Sequence, residues 1–196
     1  VCSYRKNASL TYELLWRVMH RYLEDGMDGF YICLNSPEKE LRKRLKDLNI
    51  SIDETEGELL FLDFFSSRAE KIEKHRLSDL QLLAYDAQEI MDEVVSRLDE
   101  VGGRGFMIID SVSTLISNVD VERAYLLVQG FKMLTRERDM IGMGISFKDP
   151  IEERTLEMLR SNADGCFDLE NNDLDISGFG KSFEGGDNLS VTKTEG

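Results

Sequence analysis

The 196-residue chain has few of the residues from which disulfides and metal sites are built. It holds three cysteines, two histidines, two prolines and one tryptophan. The cysteines, Cys2, Cys33 and Cys166, form an odd set without metal-ligand spacing, and each lies in an apolar run. Neither a disulfide framework nor a cysteine-based zinc site is therefore indicated. Buried thiols in a reducing compartment are expected, so the predicted location is cytoplasmic.

Long apolar runs and an excess of positive charge are also lacking. No stretch reaches the roughly 20 residues of a transmembrane helix and no signal peptide is found, so membrane insertion is not expected. Lysine and arginine number 24 against 38 acidic residues, a formal net charge of −14. Because nonspecific nucleic-acid affinity comes from Lys and Arg, no nucleic-acid partner is expected. The cationic strip at 42–46 is interpreted as a solvated helix face.

The composition that remains is that of a globular domain, with 41% hydrophobic and 32% charged residues. The length suits one sizeable core, and no repeat or boundary divides the chain. We therefore predict a single domain over residues 1–196. Because the chain lacks an initiating Met and begins within a strand-like segment, residues upstream of Val1 are expected to be missing.

Strand-like and helix-like segments alternate along the chain. Such alternation implies right-handed crossovers and a mainly parallel central sheet flanked by helices, which is a three-layer α/β fold. Residues 66–77 are predicted to form a mobile loop or a short helix. Strands are predicted at 1–3, 29–34, 58–65, 105–110, 141–147, 165–169 and 189–191, and helices at 10–23, 38–48, 79–101 (capped by Ser78), 119–137 and 152–162.

The segment 105–111 is an uninterrupted apolar run that ends in Asp110 and Ser111. Such a run is typical of a strand buried on both faces, and the acid then lies at the carboxyl end, where parallel sheets bind ligands. In P-loop NTPases an acid at this position holds Mg²⁺. Asp110 is therefore a candidate metal ligand. In the structural alternative, Asp110 caps the following turn or bonds to Ser111 and Ser113.

The order of these segments resembles the KaiC branch of the RecA-like ATPases, and the likeness spans nearly the whole chain. The branch includes an archaeal accessory ATPase of the archaellum motor, so an archaeal-type member is expected. The resemblance implies a RecA-like fold, and nucleotide sites at subunit interfaces imply self-association. The matching segments are 29–48 (second strand and helix), 59–65 (third strand), 106–115 with Asp110-Ser111 (Walker B strand), 146–169 (a helix-to-strand turn containing Asn162-Ala163-Asp164-Gly165) and 189–196 (closing strand).

The positions that bind phosphate in this family have changed. A phosphate loop requires Gly-x-x-x-x-Gly-Lys-Ser/Thr, so that backbone amides and the lysine reach the phosphates. In the favoured register, Ser3 and Ala8 replace the glycines, Ser9 replaces the lysine, and Leu10 replaces the hydroxyl that holds Mg²⁺. The register is set by three buried positions that are predicted in the following helix: Tyr12, Leu14 and Trp16.

The catalytic carboxylates have changed as well. KaiC-like ATPases carry adjacent glutamates after the second strand, where this chain has Asn35 and Ser36. An amide and an alcohol cannot accept a proton at neutral pH as a carboxylate does. No catalytic residue is assigned. A relict nucleotide site would use Arg5, Lys6, Asn7, Ser9, Asp110 and Ser111.

The sequence predicts a catalytically inactive or weakly nucleotide-binding domain that acts as a regulatory or assembly protein. Its expected partners are copies of itself, a paralogous ATPase or another protein, and no cofactor is expected. The alternative is an ATPase with an unconventional phosphate loop, in which Lys6 or Arg5 contacts ATP and Asp110 holds Mg²⁺. A third hypothesis is a signalling module that senses another anion or nucleotide at the altered helix terminus.

Overall fold

The structure, a computed structural model, describes residues 2–75, 86–101, 104–147, 152–170 and 173–177, excluding the side chains of 2–9, 71–75 and 167–177. The helices are α1 Cys2–Glu24, α2 Glu38–Asp47, α3 Phe64–His75, α4 Ala87–Arg97, α5 Val112–Asn118, α6 Val121–Glu137 and α7 Glu153–Asn162, and a 3₁₀ turn at Leu98–Glu100 follows α4. The strands are β1 Asp28–Cys33, β2 Leu59–Asp63, β3 Gly105–Asp110, β4 Ile141–Gly144, β5 Cys166–Glu170 and β6 Asp173–Ser177.

Four strands form a parallel sheet in the order β2-β1-β3-β4. All six residues of β3 are buried, as the apolar run predicts for a strand covered on both faces. The strands β5 and β6 form a separate antiparallel pair. The predicted α/β fold with a mainly parallel sheet between helices is confirmed.

The hydrophobic core lies on both faces of this sheet because side chains alternate along each strand. Phe30 and Ile32 of β1 pack in the cluster that includes α4, α5 and α6. Tyr31 and Cys33, which point to the other face, pack in the cluster that includes α1 and α2. The sheet therefore separates a layer of α1 and α2 from a layer of α4, α5 and α6.

The predicted strand at 1–3 and the phosphate loop placed between Ser3 and Leu10 are wrong, because residues 2–10 lie in α1. Val1 lies outside the described residues. No glycine or proline occurs between Cys2 and Glu24, so no residue breaks the helix before its packed part begins. The buried side chains of α1 recur at helical spacing, which fixes this face against the sheet. They are Tyr12, Trp16, Met19 and Leu23.

Other predicted elements are confirmed with shifted ends. The helix expected at 119–137 begins at Val121, and α5 and β6 were not predicted. The helix expected from residue 79 does not run unbroken to 101, since Asp86 is extended and caps α4 by accepting from the backbone N–H of Gln88 at 2.9 Å. Residues 66–75 lie in α3. Ser78 and the strand at 189–191 lie outside the described residues.

A close approach between backbone segments fixes the loop before β2. The N–H of Gly57 donates to the Leu23 carbonyl at 2.9 Å, and a Cβ at residue 57 would lie 2.2 Å from the Met27 carbonyl oxygen. Backbone cannot retreat as a flexible side chain can. Residue 57 must therefore be glycine for α1 and β2 to approach in this way.

Replacing Gly57 with Ala should lower the free energy of unfolding by about 2 kcal/mol, because backbone must shift to admit the methyl group. The matched control is Gly142→Ala, since a Cβ there would first meet the Thr135 side-chain methyl at 3.3 Å. Denaturant unfolding measures both. Equal effects of the two substitutions would contradict the close backbone approach.

Candidate functional site

Asp110 lies at the carboxyl end of β3, at the edge where parallel sheets place their ligand sites. The residue is 1% exposed. Its carbonyl accepts from the N–H groups of Leu34 at 2.8 Å and Asn35 at 3.1 Å, and the Asp110–Ser111 peptide bond is cis. The chain that leaves β1 therefore crosses directly over the end of β3.

Two tyrosine hydroxyls donate to the Asp110 carboxylate, one to each oxygen. The Tyr12 hydroxyl lies 2.6 Å from Oδ1, and the Tyr31 hydroxyl lies 2.8 Å from Oδ2. The Tyr12 contact has the short length of a hydrogen bond to a charged acceptor, and the Tyr31 contact has the ordinary length of an O–H···O hydrogen bond. Each carboxylate oxygen therefore uses one of its two lone pairs for a phenol, and burial of the residue leaves little of the carboxylate open to a cation.

Each tyrosine hydroxyl also accepts a hydrogen bond, so each links an N–H donor to the carboxylate. Trp16 Nε1 donates to the Tyr31 hydroxyl at 3.1 Å, and Asn35 Nδ2 donates to the Tyr12 hydroxyl at 2.9 Å. Because these N–H groups occupy acceptor positions on the phenols, both hydroxyl hydrogens are directed at Asp110. We name these five residues the carboxylate cluster.

The spacing of α1 brings two members of the carboxylate cluster onto one helix face. Tyr12 and Trp16 are four residues apart, and their ring centroids lie 5.2 Å from each other. The Phe147 ring packs on Tyr12 from beyond β4 at 5.8 Å. The apolar bodies of these rings fill the core beneath the site, while their polar ends reach the acid.

Burial shifts the ionisation of the carboxylate cluster. It raises the pKa of Asp110, while the hydrogen bonds from Tyr12 and Tyr31 and the charge of Arg44 oppose this shift. Burial and the neighbouring Asp110 carboxylate raise the pKa of both tyrosines well above the usual value, so they remain proton donors. Burial also raises the pKa of the Cys33 thiol, which lies beside Asp110 across the β1–β3 pair.

Hydroxyl and amide groups cover the exposed side of the site. Ser111 caps α5 by accepting from the Thr114 N–H at 3.1 Å, and its hydroxyl lies 2.9 Å from that of Thr114. Thr114 in turn donates to Asn35 Oδ1 at 3.2 Å. Ser113 accepts from the Phe147 N–H at 2.6 Å, which ties the end of β4 to α5. The polar groups at this edge therefore bond to one another.

Both structural roles that were predicted for Asp110 are wrong. Ser111, not Asp110, caps the next helix, and the Asp110 carboxylate bonds to neither Ser111 nor Ser113 among the described contacts. The reason is geometric, because α1 and β1 bring two phenols to the carboxylate from the opposite side. Asn35, at the position of the expected catalytic carboxylate, donates to the Tyr12 hydroxyl.

The predicted nucleotide contacts fall into two groups. Asp110 and Ser111 are adjacent at the end of β3. Arg5, Lys6, Asn7 and Ser9 lie in the first turns of α1, and their side chains are outside the description. Within the described residues, no group of three or more His, Cys, Asp or Glu side chains could hold a metal ion.

Comparisons with known proteins show which family the chain belongs to. A family model described as the KaiC ATPase matches residues 16–172, which is more than half of the chain. The chain belongs to the KaiC ATPase family. The resemblance predicted from the order of its segments is thereby confirmed. A search of curated proteins found no match.

Two solved structures share the fold of this KaiC-family chain. The flagellar accessory protein FlaH from Methanocaldococcus jannaschii is 20% identical, with a TM-score of 0.52 over 83% of this chain and 69% of that protein. The uncharacterized protein PH0321 from Pyrococcus horikoshii, solved in complex with an unknown peptide, is 12% identical, with a TM-score of 0.52 over 86% and 77%. In the described part of the KaiC-family chain, no helix is long and apolar enough to cross a membrane.

The tyrosines of the carboxylate cluster were not predicted as site residues. Tyr12 was predicted to be buried, and Tyr31 lies in a predicted strand beside the strand of Asp110. A buried tyrosine hydroxyl requires a partner, so two buried phenols near an unpaired acid were the available signal. Trp16 and Leu14 were likewise predicted to be buried; Trp16 is buried and Leu14 is half-buried.

Replacing Tyr31 with Phe should lower the free energy of unfolding by about 2 kcal/mol, because Asp110 loses a donor and Trp16 loses an acceptor inside the core. Tyr22→Phe is the matched control, since the Tyr22 hydroxyl has no partner among the described residues and its ring packs on Phe106 at 5.8 Å. Thermal and denaturant unfolding measure both variants. A Tyr31 variant as stable as the control would contradict the carboxylate cluster.

The stability of the Asp110→Asn variant, measured relative to wild type, should increase as pH rises. Because folding raises the pKa of Asp110, its ionisation weakens the native state. That cost is absent below the ordinary aspartate pKa of about 4, grows as pH rises through the native pKa, and then stays constant. Denaturant unfolding of both proteins from pH 4 to 8 measures the difference. A difference that is constant or shrinks with pH would show that the pKa is not raised.

Proposed function

We propose that this KaiC-family domain is catalytically inactive and acts through contacts with other protein chains, as a regulatory or assembly protein. The observation that carries the proposal is the pairing of both Asp110 oxygens with phenol donors. Each oxygen keeps a second lone pair, but Asp110 is 1% exposed, so a Mg²⁺ ion with its bound waters would reach the carboxylate only if the surrounding side chains moved apart. The residues around Asp110, as they are arranged here, do not fit Mg²⁺.

The changes at the catalytic positions support the same proposal. Asn35 stands where the family resemblance places a catalytic carboxylate, and its amide is used to orient Tyr12. Ser9 and Leu10 replace the lysine and the hydroxyl of the phosphate loop in the register proposed above. The structure continues α1 through these residues instead of forming a loop. Phosphate binding and water activation are therefore both proposed to be lost.

A polypeptide is the partner class that this proposal favours. A protein of the same fold, PH0321, was solved in complex with an unknown peptide. The net charge of −14 disfavours a nucleic-acid partner. The partner is proposed to be a second copy, a paralogous ATPase or another protein.

Calorimetric titration with Mg-ATP tests the loss of nucleotide binding. The wild-type protein should give no saturable heat, while a family member with an intact phosphate loop serves as the positive control. The Lys6→Ala variant should behave like wild type. Saturable micromolar binding that Lys6→Ala abolishes would overturn the proposal and support the ATPase with an unconventional loop.

A further inference from the structure

The two phenols of the carboxylate cluster are oriented by groups of different kinds. Tyr31 is oriented by the indole of Trp16, whose N–H can only donate a hydrogen bond. Tyr12 is oriented by the side-chain amide of Asn35, which carries donors on Nδ2 and an acceptor on Oδ1. The direction of the Tyr12 hydroxyl therefore depends on the orientation of the amide, whereas that of the Tyr31 hydroxyl is set by a group that has no acceptor.

A chain of side-chain hydrogen bonds sets the orientation of the Asn35 amide. The Thr114 hydroxyl donates to Asn35 Oδ1 at 3.2 Å, which leaves Nδ2 to donate to the Tyr12 hydroxyl at 2.9 Å. Because Thr114 has a single hydroxyl hydrogen, Ser111 is the donor in the 2.9 Å contact between the hydroxyls of Ser111 and Thr114. The hydrogen bonds therefore run in one direction, from the N-cap of α5 to the carboxylate of Asp110.

Residue 35 is held in place by its backbone, and its side chain is open to solvent. The Asn35 N–H donates to the Asp110 carbonyl at 3.1 Å, so a different side chain would be held at the same place. Asn35 is exposed, while the other four members of the carboxylate cluster are buried. A dissolved ion that approaches the cluster therefore meets the Asn35 amide first.

The neutral amide also keeps a second negative charge away from Asp110. Asn35 Nδ2 and Asp110 Oδ1 both lie within hydrogen-bond distance of the Tyr12 hydroxyl oxygen, at 2.9 and 2.6 Å. A carboxylate at residue 35 would be a second acceptor, and the one hydroxyl hydrogen of Tyr12 cannot serve both. Two neighbouring carboxylates would repel each other and move the surrounding side chains apart. Their oxygens are the ligands that divalent cations prefer.

We propose that Asn35 is the positioning residue that closes this edge of the sheet to divalent cations. Its amide holds the Tyr12 hydroxyl on Asp110, and its lack of charge leaves Asp110 as the one carboxylate of the cluster. Asn35→Asp would reverse both effects and form a cation site between two carboxylates, bordered by the Thr114 hydroxyl. The inference rests on the proposed loss of cation binding and deepens it, by naming the residue on which that loss depends.

Titration with Mn²⁺ alone, without nucleotide, tests the inference through the indole N–H signal of Trp16 in NMR spectra. In Asn35→Asp this signal should broaden selectively, and Mn²⁺ should bind about tenfold or more tightly than to wild type, because a second carboxylate is available. Asn35→Ala should behave like wild type, because it removes the amide without adding a charge. Asn49→Asp is the matched control for charge, since Asn49 is exposed beyond the far end of α2, and it should leave the Trp16 signal sharp.

Thermal unfolding separates competition for the Tyr12 hydrogen from the simple loss of a contact. Without divalent cations, Asn35→Asp should unfold at a lower temperature than Asn35→Ala, because only the carboxylate competes with Asp110 for that hydrogen. Mg²⁺ should raise the unfolding temperature of Asn35→Asp, and it should affect Asn35→Ala no more than wild type. A side chain with a structural role alone would not produce a difference that depends on the cation.

Three results would overturn the inference. They are an Asn35→Asp variant that binds Mn²⁺ no more tightly than Asn49→Asp does, one that unfolds at the same temperature as Asn35→Ala without cations, and one that remains unfolded with and without Mg²⁺. Selective broadening of the Trp16 signal in the wild-type protein would instead contradict the proposed function. Failure of the inference is therefore distinguishable from failure of the proposed function.

Discussion

The buried carboxylate of Asp110 is the constraint on which the rest of this edge of the sheet depends. A charge that is 1% exposed is costly unless its oxygens are hydrogen-bonded. Tyr12 and Tyr31 provide those bonds, and Trp16 and Asn35 orient the two phenols. The cluster thereby links α1, β1 and β3 through one acid.

On the proposed function, this arrangement stabilises the buried carboxylate without a bound cation. The family resemblance implies that the acid at the end of the Walker B strand contacts Mg²⁺. The positive charge of the ion would then offset the negative charge of the buried carboxylate. In this chain, the neutral hydroxyl groups of Tyr12 and Tyr31 stabilise the carboxylate by hydrogen bonding. Because the phenols come from α1 and β1, the acid holds these elements together even when no nucleotide is bound. On the proposed function, the role of Asp110 is to hold these elements together.

Much of the fold could be predicted from local patterns. The buried strand that ends in Asp110 follows from its continuous apolar run, and the parallel sheet follows from the alternation of strands and helices. The N-terminal strand and loop were predicted wrongly, because the strand rested on three residues alone and the loop on the family resemblance, while the local sequence contains no helix breaker. The short helix α5 was missed because Val112 and Leu115 continue the apolar pattern of β3.

The candidate site could be predicted only in part. The position of Asp110 follows from the end of its strand, but its partners depend on how α1 is rotated against the sheet. That rotation is set by the joint packing of Tyr12, Trp16, Met19 and Leu23, which no local pattern specifies. A tyrosine on a predicted buried face could be either a core residue or a hydrogen-bond donor to a buried acid. The two roles can be distinguished only once the structure shows whether an acid lies within hydrogen-bond distance of the hydroxyl.

The central claim is that Asp110 is occupied by tyrosine hydroxyls and does not bind a cation. The indole N–H of Trp16, the single tryptophan, donates to Tyr31 and so lies within two hydrogen bonds of the carboxylate. Its NMR signal can be followed during titration with Mn²⁺ and ATP, because a paramagnetic ion at Asp110 would broaden it strongly. We expect this signal to remain as sharp as those of amides far from the site. Selective broadening at a stoichiometric amount of Mn²⁺ would contradict the account.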